Sequence, residues 1–146
     1  MMKPTGLLFS LAIVFFVLYD IVSTIAAFNY LGSFQYEKSL LLKASFDTAG
    51  VPGFILIKMI LSTFALSLAY LLVERFHQFR GVGMGILGGA TAAGLFVGTS
   101  NFNIILNGSS FWLMGLDSGT IAATLILAGA VAGFIVTSSE KPIGTV

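Results

Sequence analysis

The amino-acid sequence predicts an all-α fold: a polytopic membrane protein built as a four-transmembrane-helix bundle, with a short interfacial helix in its first outer loop. Three observations lead there. The chain is 57% apolar and only 9% charged, against about 25% charged residues in soluble proteins. Its mean hydropathy is +1.01, more apolar surface than a water-soluble core of 146 residues can hide. Four apolar runs, approximately 7–31, 51–73, 81–106 and 118–137, reach the roughly 20 helical residues that cross a hydrocarbon core. Residues 1–146 read as a single membrane domain.

The first run, 7–31, follows Lys3 and superficially resembles a signal peptide. It continues for about 25 residues without a small-x-small cleavage site, so a retained helix is expected. Its interior carries Asp20, in "FFVLYDIVSTIAAF". Fifteen Leu, Ile, Val and Phe residues lie between Leu7 and Leu31. At about −0.3 to −0.6 kcal/mol each they outweigh the roughly 2.5–3.5 kcal/mol of a central aspartate. The helix inserts, and its carboxylate needs a partner.

The first connection, "GSFQYEKSLLLKASFDTAGVPG", places Glu37, Lys38, Lys43 and Asp47 around an apolar patch too short to span. It reads as an interfacial helix or a partly re-entrant segment. The second run, 51–73, contains Lys58. Asp20 lies about 16 Å below Leu31 at 1.5 Å per residue, and Lys58 about 10 Å below Val51. The long lysine stem reaches several ångströms further. The two heads meet at one depth, which predicts an ion pair between helices one and two. Ser23, Thr24, Ser62, Thr99, Ser100, Asn101 and Asn103 lie in the same half of the chain's spans, with Thr120 and Thr124 on one face of helix four. The expected intramembrane polar network is Asp20, Thr24, Lys58, Ser62, Asn101 and Asn103. It serves either as interhelical glue or as the lining of a polar pocket.

The turn "ERFHQFR" holds Glu74, Arg75, His77 and Arg80; His77 reads as a solvated loop residue, and Glu74 and Arg75 as interface anchors. In the third run Gly81, Gly85 and Gly89 recur every fourth residue, Gly94 and Gly98 start a second stripe, and Gly129 and Gly133 lie in the fourth run. Small residues at this spacing let helix backbones approach closely in lipid. They fit packing of helices three and four within one protomer, or a seam between copies. The connection "NGSSFWLMGLD" offers Trp112 to a membrane interface and Asn107-Gly108-Ser109 as a glycosylation pattern. Lys3, Arg75, Arg80 and Lys141 on one side, against Lys38 and Lys43 on the other, favour both termini in the cytoplasm.

Composition also excludes. Cysteine is absent, removing disulfides, thiolate catalysis and thiolate metal sites, and the single histidine forbids a His-rich metal centre. A net charge of +1 advertises no nucleic acid. No Ser-His or Cys-His constellation or paired carboxylates share a helix face, so no enzyme, cofactor or metal is expected. The glycines follow no strand and no P-loop pattern, so they do not cradle phosphate.

Asp20-x-x-x-Thr24, then Glu37, then Leu41 and Lys58, is similar to a pattern in an uncharacterised family of small archaeal and bacterial four-helix membrane proteins. That family's first half reads Asp-x-x-x-Thr, Glu-x-Asn-Pro-Leu, then a Lys-bearing helix. Here Ser39-Leu40 stand where the family has Asn-Pro, and the resemblance covers roughly residues 15–105. It implies four helices and a paired polar set, and no chemistry.

The function expected from the sequence is that of a non-enzymatic integral membrane protein. It would act as an accessory or structural subunit packing against other membrane proteins or itself, surrounded by lipid. The alternative is a component of an oligomeric transporter or channel using Asp20 and Lys58 in a polar pocket. A cavity reaching Asp20 separates the second from the first, which needs only a dry pair.

Overall fold

A computed structural model describes residues 3–33, 37, 39–109 and 116–139. Lys38, Trp112 and Lys141, counted above for charge and interface placement, lie outside them. Each regular element among the described residues is helical: α1, Pro4–Leu31; α2, Leu40–Arg75; a 3-10 turn, His77–Phe79; α3, Arg80–Asn107; and α4, Ser118–Ser139. All four helices are long and apolar enough to cross a membrane.

α1 starts on Pro4, whose missing N–H falls where a helix has no acceptor for it anyway. Between Ile13 and Tyr19 it widens to a π-helix, ending immediately before Asp20. Buried positions step by five there, from Ala12 to Val17, a spacing that ordinary 3.6-residue turns do not return to one face. From Asp20 onward the helix is regular and buries Asp20, Ile21, Ser23 and Ala27.

α2 comprises the expected outer segment and the span from 51 as two helices that meet at a kink. The kink is at Gly50, whose φ of 63° and ψ of −156° are non-helical and belong to a region almost exclusive to glycine. Pro52 follows and cannot donate back across the bend. Residues 40–49 thus form the short helix of the first connection, joined to the long one through the Gly50 kink. Ser39 caps it, its Oγ accepting from the Leu42 N–H at 3.3 Å.

α3 touches all three other helices, α4 most extensively. Its glycine stripe is used within the chain. A methyl at Gly85 would collide with the Gly129 carbonyl, and one at Gly81 with the Gly133 carbonyl and Thr137 hydroxyl; at Gly89 it would lie 2.6 Å from the Leu125 carbonyl. Of the two sequence readings, this is packing of helices three and four. Gly94 of the second stripe meets the Phe15–Phe16 backbone inside the π-helical stretch, and Gly98 the Tyr19 ring. Gly83 takes the Ala69 carbonyl of α2. Ala12, Val17, Ile21, Leu66, Ala69, Val73, Leu87 and Ala90 fill the core between α1, α2 and α3.

Candidate functional site

The side chain of Asp20 points into the protein, and Lys58 of α2 meets it. Nζ lies 3.0 Å from Asp20 Oδ2, and both residues are 8% exposed. Lys58 also donates to Thr24 Oγ1 at 3.4 Å and sits 5.2 Å from the centre of the Phe54 ring. A buried charge is tolerated when it is paired and hydrogen-bonded, and this one is both.

α3 closes the network through Asn101. Its Nδ2 donates to Ser23 Oγ at 3.0 Å and to Thr24 Oγ1 at 3.1 Å. The same two hydroxyls donate to the backbone carbonyl of Asp20, at 3.0 and 2.7 Å. Four side chains from three helices therefore converge on one turn of α1.

Beside this network lies a cavity of about 360 Å³ bordered by all four helices. Asp20, Thr24, Lys58, Ser62 and Asn101 form its polar floor and wall. It extends to the helix ends, where Ser33, Glu37, Ser39 and Ser118 border it. Glu37 is held there by the N–H of Ser39, donated to Oε1 at 2.9 Å. Phe28, Leu31, Leu42 and Leu61 supply apolar wall. The volume is at the low end of the roughly 300–1,000 Å³ of small-molecule sites.

Of the six residues expected in one network, Asp20, Thr24, Lys58, Ser62 and Asn101 line this cavity, and Asn103 does not. Asn103 faces the end of α3, donating to the Ser109 carbonyl and accepting from Asn107. Residues two apart on a helix face different directions, so Asn101 and Asn103 cannot both look inward. Thr120 is spent locally as well, its N–H and hydroxyl on the Asp117 carboxylate that caps α4, and Thr124 donates to the Thr120 carbonyl. Thr99 lies 3.5 Å from the Tyr19 hydroxyl, outside the cavity, and Ser100 is 1% exposed.

Sequence reasoning missed two features. Glu37 carried only a loop charge and a place in the resemblance pattern, yet it borders the same cavity as Asp20, Thr24 and Lys58. Leu41 of that pattern faces out, 55% exposed, and Leu42 lines the cavity. At the opposite end of the helices, Thr5 donates to Glu74 at 3.0 Å, tying the start of α1 to the end of α2. His77 is exposed on its turn, near Lys3 and Arg80 around a smaller depression.

Among the described residues no three His, Asp or Glu side chains are grouped to hold a metal ion. The cavity holds two carboxylates, an ammonium, an amide and hydroxyls, a set suited to binding a polar molecule. Comparison with models of known protein families, with curated proteins and with solved structures found no match.

Proposed function

We propose that this chain is a multi-pass membrane protein with both ends in the cytoplasm, its four helices bundled around a site for a small polar solute. It acts as a component of an oligomeric transporter or channel. The observation that carries this reading is the cavity running from the helix ends to the Asp20–Lys58 pair. An ion pair serving only as glue gains from tight packing on every side. This one borders open space lined with further polar groups. An oligomer is part of the proposal because four helices leave little room for a path inside one protomer.

The chain lacks cysteine, so a single introduced thiol reports unambiguously. In intact cells, Ser62→Cys is expected to react with a membrane-impermeant methanethiosulfonate added outside, and Gln78→Cys only after the cytoplasmic face is exposed. A Ser62→Cys protein that stays unreacted from both sides, while folded, would leave the pair dry and remove solute binding.

A second reading, the accessory subunit, draws on outward faces. Leu56, Ile60 and Phe64 on α2 and Leu127, Phe134 and Ile135 on α4 are all more than half exposed. α4 packs on α3 and the 3-10 turn alone among the described elements. Lipid covers such faces equally well, so this reading rests on less.

A further inference from the structure

The cavity's lining leaves amide and carboxylate oxygens open to a donor. Ser23 and Thr24 each spend their hydroxyl hydrogen on the Asp20 carbonyl, at 3.0 and 2.7 Å. A hydroxyl has only one hydrogen, so toward Asn101 both oxygens can only accept. That obliges the amide NH2 of Asn101 to face them and turns its Oδ1 away. Oδ1 takes no bond among the described residues, and neither does Oε2 of Glu37, whose other oxygen holds the Ser39 N–H. No buried side-chain nitrogen or oxygen among the described residues lacks a partner, so both atoms are open rather than sealed in. Thr24 Oγ1 also lies 3.3 Å from Asp20 Oδ1; with its one hydrogen on the nearer carbonyl, at 2.7 Å, that carboxylate oxygen is left able to accept.

The charged donor among the described lining residues is engaged. Lys58 gives to Asp20 Oδ2 and Thr24 Oγ1 and lies against Phe54. The hydroxyls of Ser33, Ser62 and Ser118 can donate or accept, so charge discriminates. Asp20 and Glu37 face Lys58 alone among the described lining residues, a surplus of one carboxylate. An anion would be repelled by that surplus. A neutral apolar molecule would leave the acceptors unfilled.

Building on the solute-binding reading, we infer that the cavity takes a small organic cation: a primary ammonium on an apolar stem. The ammonium neutralises Glu37 and gives its N–H groups to the open acceptors, while the stem lies along Phe28, Leu31 and Leu42. The ammonium can belong to a free amine or to a lipid headgroup.

The test uses the full chain in nanodiscs of phosphatidylglycerol, a lipid whose headgroup carries no ammonium, with 2-phenylethylammonium, 2-phenylethanol and phenylacetate as calorimetric probes. The ammonium is expected to bind at least about tenfold tighter than the other two, as one charge-assisted hydrogen bond implies. Glu37→Gln should erase most of that preference with an unchanged melting temperature, since the glutamine oxygen can still accept from Ser39. Replacing the lipid by phosphatidylethanolamine then assigns the source: a loss of amine affinity marks a headgroup competitor, and equal affinity marks a free amine. Equal binding of the three probes, or an undiminished preference in Glu37→Gln, would overturn the ammonium assignment. If none binds, the assignment also falls, and Ser62→Cys labelling then tells whether the cavity reading falls with it.

Discussion

Asp20 and Lys58 illustrate how a costly residue becomes tolerable. Each alone would leave a charge in apolar surroundings, and together, 3.0 Å apart, they neutralise one another. Breaking a buried pair by removing one partner costs about 3–5 kcal/mol, while replacing both by apolar residues is often neutral. The pair borders a cavity and is not closely packed on every side, so the low end, about 3 kcal/mol, applies here. Lys58→Met and Asp20→Asn are each expected to lower the melting temperature in mild detergent by several degrees. The double variant Asp20→Leu, Lys58→Met should recover most of the loss; a double variant as unstable as the singles added together would refute the pairing energetics. Asn101 and Asn103 show the limit of reading residues singly: both are polar and close in sequence, and only helix rotation tells them apart.

Elements meet here through glycine. In lipid no water is expelled when helices associate, so close van der Waals contact takes the place of the hydrophobic effect. Gly81, Gly85 and Gly89 serve α4, Gly94 and Gly98 serve α1, and Gly83 serves α2. One helix thus divides its small residues among three neighbours. Gly85→Ala would put a methyl into the Gly129 carbonyl and force α3 and α4 apart, at about 1–3 kcal/mol for overpacking. Gly88 has nothing within 4 Å of an added methyl, so Gly88→Ala should be neutral, or stabilising by up to roughly 1 kcal/mol through helix propensity. Thermal melting in detergent checks the order; Gly85→Ala matching the unchanged protein would show that the contact carries no energy. The π-helical turn belongs to this scale too. It brings the α1 backbone against Gly94 and ends where Asp20 must turn inward.

At the scale of the whole molecule, an interior that holds an apolar core beside one polar network is wrapped in a largely apolar exterior. Pairing, capping and hydrogen bonds gather on the inner faces of α1, α2 and α3, while the outer faces of α2 and α4 carry exposed leucine, isoleucine and phenylalanine. Such faces are compatible with a covering of lipid or of another membrane-embedded chain. Mild solubilisation of native membranes distinguishes them. A self-assembled particle is expected, its mass a small multiple of 15.4 kDa plus detergent. Stoichiometric recovery with larger, unrelated subunits would instead favour the accessory role.

The sequence by itself determined four apolar helices, their approximate limits, and the depth match that pairs Asp20 with Lys58. These depend on local quantities, namely run length, helical rise and the cost of a lone charge in an oily segment. Tertiary structure alone decided which glycine faces which neighbour, that Asn101 looks inward and Asn103 does not, and that Glu37 joins Asp20 and Lys58 around one cavity. Helix rotation sets those relations and arises from packing of the helices on one another, which no single segment encodes, whereas the bend at Gly50 follows from the glycine itself.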